Sequence, residues 1–256
     1  MGGKMISLEG KKALITGGSR GIGRATAILF AKAGADVAIN FLDREQAALE
    51  VKDNIDKLGR DCLTLKADIS QKDQVERLVG TLLNEWNQID ILVNNAGIWT
   101  YGEIGKMDSA TWHETMLLNL DAVFFLCNAL VPVMKERKEG WIINVSSTAG
   151  VRGEAFHSHY AASKGAIISF TKSLAAELAP FGIRVNCVAP GWVDTEMCEE
   201  VFRSPGFRNK VESSIPLKRI PPPEDVAGPI LFLASDLARH ITGEVVNVNG
   251  GSVLCA

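Results

Sequence analysis

Tyr160 and Lys164, in the stretch Tyr160-Ala161-Ala162-Ser163-Lys164, stand four residues apart. On a helix that spacing puts both side chains on one face, and an upstream loop carrying Ser146 and Ser147 would bring a hydroxyl over them. A tyrosine exchanges protons poorly near neutrality because its ordinary pKa is about 10, but an adjacent ammonium favours the phenolate and draws that value down. With a hydroxyl from Ser147 at the same point, the pair would polarise a carbonyl or accept the proton of an alcohol. The pattern is short, and a tyrosine packed on a helix beside a solvated lysine satisfies it as well.

The 256-residue length suits one α/β domain with a single large sheet. An apolar share of 46% and a net charge of only −3 argue against disorder and against a polyanion-binding surface, so no nucleic-acid partner is expected. Cys62, Cys127, Cys187, Cys198 and Cys255 are odd in number and scattered, without a CxxC pair. That fits a reduced compartment better than a disulfide framework or a metal site. The opening MGGKMISLEGKK lacks the apolar core of a signal peptide, and a cytoplasmic location is expected. Met116 to Met134 is apolar enough to raise a membrane span, but Asn119, Asp121 and Asn128 interrupt it and Pro132 lies near its end. A helix buried on several sides is expected instead, with no membrane partner.

The elements that must position the acid-base pair follow from periodicity. Ala13 to Thr16 is a short apolar strand, and Gly17-Gly18-Ser19-Arg20-Gly21-Ile22-Gly23 leads into an Ala/Leu-rich helix ending at Gly34. Strand, glycine turn and helix is the order in which backbone amides approach a pyrophosphate at a helix N-terminus, although GxxxGxG departs from the commoner GxGxxG. Strands follow at Val37 to Ile39, Leu63 to Leu65 and Ile89 to Val93, separated by helical stripes through Val51 and Ile55 and through Leu78 and Leu82. With no hairpin signal, this alternation predicts a parallel doubly wound sheet. Asp108 is a candidate N-cap for a helix running past Asn119 to about Lys138, and a strand from Trp141 to Val145 delivers Ser146 and Ser147 at its carboxyl end, the edge where such sheets bind ligands. A long helix from Ser158 to Leu178 carries Tyr160 and Lys164; a strand from Arg184 to Val188, a helix from Glu224 to Ser235 and a strand from Glu244 to Val248 complete the pattern. The stretch at about 192–223 breaks the alternation and reads as an insertion covering substrate, or as a surface excursion without a role.

Three separated stretches, TGGSRGIG at 16–23, NNAG at 94–97, and INVSS with YAASK between 143 and 164, together resemble the short-chain dehydrogenase/reductase family across essentially the whole chain. The resemblance implies a Rossmann-type doubly wound, seven-stranded parallel sheet with helices on both faces. It implies Ser147, thirteen residues before the tyrosine, as the catalytic serine and Tyr160 as general acid or base. Lys164 would lower the pKa of Tyr160 while holding the nicotinamide ribose, and Asn119 would bend a helix and hold a relay water. By the same match, Thr16, Gly17, Ser19, Arg20, Gly21, Ile22 and Gly23 form the cofactor loop and Asp68 meets the adenine. Asn94, Ala96 and Gly97 form the turn beneath the ribose, while Pro190, Gly191, Val193 and Thr195 contact the carboxamide. All four catalytic positions are filled, which argues for an enzyme over a non-catalytic cofactor-binding regulator.

Asp36, about 20 residues past the glycines, begins the second strand, whereas the ribose is met at the strand's far end, at Asn40 and Phe41. Family members that prefer NAD carry an acid where this chain has Phe41. With Arg20 and Arg44 available to a 2′-phosphate, and Asp43 opposing, NADPH is the expected cofactor and NAD the alternative.

The middle and end of the chain are similar to bacterial 3-oxoacyl-acyl carrier protein reductases. That similarity implies reduction of a 3-oxoacyl thioester, carried on an acidic carrier docked by two basic residues. Lys138 fits one such position and Phe181 does not fit the other. Trp99, Trp192, His157 and His159 could instead narrow the cleft toward a small secondary alcohol, sugar or polyol, with Trp192 and His157 the residues expected to touch substrate. Met197, Phe202 and Phe207 could line an apolar pocket or pack the insertion. The resemblance also implies a homotetramer.

Overall fold

The computed structural model describes residues 6–254; of the five cysteines, Cys255 lies outside them. Strand β1 (Lys12–Ile15) turns into helix α1 (Gly21–Ala33), followed by β2 (Asp36–Phe41), α2 (Glu45–Asp56), β3 (Cys62–Lys66), α3 (Lys72–Trp86) and β4 (Ile91–Asn94). The chain continues with α4 (Ser109–Met116), α5 (Ala122–Arg137), β5 (Gly140–Val145), α6 (Thr148–Arg152), α7 (Ser158–Leu178) and β6 (Ile183–Pro190). Helices α8 (Glu196–Phe202), α9 (Phe207–Ser214) and α10 (Glu224–Ala234) precede β7 (Val245–Val248). Seven strands lie in the order β3-β2-β1-β4-β5-β6-β7, and every pairing is parallel. The expected doubly wound sheet is therefore what forms.

Side-chain alternation explains why both faces are covered. Along β1, Ala13 and Ile15 enter one core with Phe30, Val51 and Ile230, while Leu14 enters the other with Leu82, Leu126 and Ile167. A strand whose neighbours are parallel on both sides needs helices above and below it, and a period of two sends successive residues to opposite layers. The strand order reverses between β1 and β4, which opens a crevice at their carboxyl ends.

Three local differences from expectation have physical causes. The helix that starts at the Asp108 cap, where the carboxylate accepts from the Thr111 N–H at 2.8 Å, is not continuous. It widens into a π-type turn at Leu117–Asp121 before α5. By length and composition Ser109–Arg137 could cross a membrane, but Leu126, Leu130 and Met134 pack into the sheet core. Burial on several sides does not hold: Leu117 and Phe124 are exposed on the opposite face. The stretch at 192–223 contains α8 and α9 around a small core of Val211, Ile215 and Ile220, onto which Trp192, Phe202 and Phe207 pack. Phe202 and Phe207 thus hold this unit together.

Candidate active site

A cleft of about 400 Å³ runs along the carboxyl edge of the sheet, from Arg20 and Arg44 at one end to Ser147, Tyr160 and Trp192 at the other. Its cofactor end is shaped by backbone. Gly17 has φ +61, and a side chain there would lie 3.1 Å from the Ala96 Cα. Gly23 is closed in completely, since an added Cβ would stand 2.2 Å from the Gly17 carbonyl oxygen. The third glycine is therefore what lets α1 pack against its own entry turn.

The N-terminus of α1 has no side-chain cap and no acid in its first turn, and Ile22 in that turn lines the cleft. Uncapped amide N–H groups at a helix start, with Arg20 beside them, suit a diphosphate. A dinucleotide therefore fits the residues present.

The strand ends are tied to one another by polar groups. Thr16 Oγ1 accepts from the N–H groups of Asn95 and Ala96, both at 3.0 Å. Asn95 Nδ2 donates to the Thr16 carbonyl at 2.8 Å. Asn94, expected beneath the ribose, is buried with its side chain turned into the sheet, where Nδ2 donates to Asn144 Oδ1 at 2.9 Å. Asn95, Ala96 and Gly97 line the cleft in its place. Asn95 escaped the sequence reading, although a second polar residue after an apolar strand was the available signal. Asp36 is held at the other edge of the sheet by Lys12 at 2.6 Å, while Asn40 and Phe41 reach the cleft. Asn40 also donates to the Ala67 carbonyl at 3.0 Å. Asp68 lines the cleft with its carboxylate braced by the Ser70 N–H and hydroxyl. Ser19, Pro190, Gly191, Val193 and Thr195 also line the cleft. Gly21, with φ +52, faces a separate groove behind α1.

At the other end, Ser147 caps α6, its hydroxyl accepting from the Ala149 N–H at 3.1 Å. Ser146 instead donates to the Lys164 carbonyl at 2.7 Å, which separates the structural serine from the one beside Tyr160. Tyr160 and Lys164 are both buried on α7. Lys164 Nζ donates to the Val145 carbonyl at 2.9 Å and lies 5.9 Å from the centre of the phenol ring.

The expected lowering of the tyrosine pKa is not found. Burial pushes Tyr160 up to about 12, although contact with the Ser147 hydroxyl pulls the other way, and burial draws Lys164 down to about 8. Loss of solvation disfavours both charged forms, and an ammonium aimed at a carbonyl does little for the phenolate. The phenol therefore remains protonated at neutrality.

Asn119 sits in the π-type turn with Oδ1 accepting from the Ile98 N–H at 2.8 Å and Nδ2 donating to the Ile98 carbonyl at 2.9 Å. It lies directly behind Gly97 rather than in the cleft: a Cβ on that glycine would be 3.0 Å from Asn119 Oδ1 and 3.3 Å from Lys164 Nζ. Where a bend was expected, the helix carries this π-type turn.

Trp192, Trp99 and Met197 line the substrate end, and the two indoles meet edge to face at 5.7 Å. His157 stands behind Trp99, stacked on it at 4.4 Å, and does not reach the cleft. His159 is buried against Thr100 Oγ1 at 2.9 Å, and burial lowers its pKa. Arg152, Glu154 and Cys198 also line this end and were missed in the sequence, because nothing in their spacing marks them.

A family model described as enoyl-(acyl carrier protein) reductase matches residues 17–252. A 3-oxoacyl-[acyl-carrier-protein] reductase of Synechocystis is 40% identical, covering 98% of this chain and 100% of that relative. Another from Thermotoga maritima is 40% identical over 97% of this chain and 100% of its own. Among solved structures, a Beutenbergia cavernae protein described as a putative NAD(P)-dependent gluconate 5-dehydrogenase with bound NADP superposes with a TM-score of 0.91 at 34% identity, over 96% of this chain and 98% of that one. A short-chain type dehydrogenase/reductase from Mycobacterium marinum gives a TM-score of 0.91 at 35% identity, over 97% and 98%.

Proposed function

We propose, from the premise that the chain belongs to the short-chain dehydrogenase/reductase family and is an oxidoreductase, that it reduces 3-oxoacyl thioesters to 3-hydroxyacyl thioesters with NADPH. The observation that carries the chemistry is the meeting of Ser147 and Tyr160 in one cleft with the uncapped start of α1. A reduced nicotinamide bound there supplies the hydride. Ser147 holds the carbonyl oxygen by its hydroxyl, and Tyr160, kept protonated by burial, gives its proton to that oxygen as charge develops. Lys164, still largely an ammonium at pH 7, adds positive charge behind the phenol and would hold ribose hydroxyls. Asn119, whose side-chain amide is taken up by Ile98, would hold through its backbone a water that returns the proton from solvent.

Support for the thioester comes from the names of the two relatives that are 40% identical. Support for NADPH comes from Arg20 and Arg44, both exposed on the rim, and from Phe41 at the end of β2 where an acid would repel a 2′-phosphate. Asp43 on that rim is the opposing charge. The unit formed by α8 and α9 acts in this reading as a cover over the substrate end.

For an acidic carrier, Lys138 is exposed and its carbonyl lies against Gly182. Lys135 places its ammonium 4.5 Å over the ring of Phe181, restoring part of the charge that Phe181 lacks. This patch flanks the amino edge of the sheet, opposite the cleft, so a carrier docked there would serve a neighbouring protomer. Exposed Leu117 and Phe124, with Leu217, Leu237 and Leu254 toward the other end of the sheet, suit a homotetramer, and the reading places the enzyme in the cytoplasm.

The test is consumption of NADPH with a 3-oxobutanoyl thioester, together with solution mass. Turnover by a tetramer is expected. A monomer, or equal efficiency with NADH, contradicts the corresponding part.

A further inference from the structure

Gly153, with φ +78, ends α6, and Glu154 then opens a turn closed by the His157 N–H on the Glu154 carbonyl at 3.2 Å. The turn is held in place. Gly102 N–H donates to the Phe156 carbonyl at 2.7 Å, and Phe156 itself adopts a left-handed φ of +64 that side chains other than glycine rarely take. His157 stacks on Trp99 at an angle of 8° and sets its Nδ1 3.1 Å from the Ala155 carbonyl. Glu154 is therefore fixed in the segment that runs directly into Tyr160.

The Glu154 side chain is 19% exposed and lines the cleft, yet among the described residues its carboxylate accepts no hydrogen bond. The nearest cationic group is His157 Nδ1 at 3.8 Å, and that nitrogen already faces a backbone carbonyl. The carboxylate is partly open to the cleft and has no protein donor, so a ligand that displaces water from it must supply one. Its charge is felt at the reacting end: after burial, Glu154 is among the causes that raise the Tyr160 pKa. Arg152, which also lines the cleft, disfavours an ammonium ligand, so a neutral hydroxyl suits the place best. Trp99 and Trp192, meeting edge to face, leave flat apolar faces for a short carbon skeleton.

We propose that Glu154 is a specificity-determining acceptor for a hydroxyl on the carbon beside the reacting carbonyl, so that the enzyme also interconverts α-hydroxy ketones and vicinal diols. The inference rests on Tyr160 and Ser147 as the carbonyl site. In reduction, the carbonyl carbon gains the hydride from the reduced nicotinamide, which is thereby oxidised, and the carbonyl oxygen takes the Tyr160 proton, later replaced from solvent. The neighbouring hydroxyl keeps its proton and donates it in a hydrogen bond to Glu154.

The experiment compares kcat/KM for 3-hydroxy-2-butanone and 2-butanone with NADPH in the wild type, Glu154→Gln and Glu154→Leu. Taking the ratio cancels changes in folding or in phenol acidity. The wild type is expected to favour the hydroxy ketone by about 10-fold or more, Glu154→Gln to keep part of that ratio, and Glu154→Leu to bring it to within about 2-fold of one. Quenching of tryptophan fluorescence in the NADP complex provides a second readout, with 2,3-butanediol expected to bind more tightly than 2-butanol only where Glu154 is present. A wild-type ratio near one, or the same ratio in Glu154→Leu, overturns the proposal. Reduction of a 3-oxobutanoyl thioester without turnover of either butanone overturns it while leaving the thioester reading intact. Failure with every carbonyl removes both.

Discussion

The two ends of the cleft are built from different materials. At the cofactor end the shape comes from backbone: the positive φ of Gly17, the contact that only a glycine at 23 permits, and the strand ends tied through Thr16 and Asn95. At the substrate end it comes from side chains brought together from distant stretches, Trp99 against His157 and Trp192, with Glu154 on a turn that includes a strained Phe156. Backbone shape is tied to short glycine spacings and changes little with surface residues. The side-chain wall can be rebuilt one residue at a time, which suits a family whose members share chemistry and differ in substrate.

Tyr160→Phe should break the substrate end most severely while sparing the other. Removing the proton donor is expected to cost about 10²- to 10⁴-fold in turnover, with cofactor affinity by fluorescence titration nearly unchanged. Gly23→Ala attacks the opposite end: a Cβ 2.2 Å from the Gly17 carbonyl forces the turn open. Overpacking of roughly 1–3 kcal/mol should appear as a lower Tm and weaker binding of both nicotinamide cofactors. If that variant binds cofactor normally, the turn is softer than its geometry implies.

Smaller effects sharpen the comparison. Arg20→Ala with Arg44→Ala should reduce preference for NADPH over NADH by about 10-fold, read as a ratio of kcat/KM, because one or two charge-assisted contacts to a phosphate are lost. The mildest test is pH. In the proposed mechanism reduction needs Lys164 as the ammonium and Tyr160 as the phenol. With Lys164 drawn down to about 8 and Tyr160 pushed up to about 12, the rate should be level at neutrality and decline as pH rises through about 8. Lys164→Met should remove that decline along with most activity, and a decline appearing only above pH 10 in the wild type would contradict the assignment.

The sheet and the cofactor end were readable in the sequence because their causes are local: apolar strands ending in glycine or asparagine, and helical stripes between them. The choice of Ser147 over Ser146 came from the family resemblance, and the structure agrees with it in the hydrogen bond that takes Ser146 away to the Lys164 carbonyl. Three matters were not readable. Asn95 lines the cleft where Asn94 was expected, because only the direction of a side chain at the end of β4 separates brace from lining. The sign of the Tyr160 shift depends on burial against charge, and spacing carries no information on burial. Glu154 lies outside every motif, and its significance appears only when its missing hydrogen-bond partner is seen.

The most direct test follows a single hydrogen. With NADPH deuterated at its transferable position and a 3-oxobutanoyl thioester, the wild type should yield a 3-hydroxy product with one deuterium at the carbinol carbon, and Tyr160→Phe, with cofactor bound, should yield almost none. Deuterated product formed at similar rates by both proteins would contradict the role of Tyr160, and cofactor oxidation without deuterium in the product would contradict hydride transfer to the carbonyl.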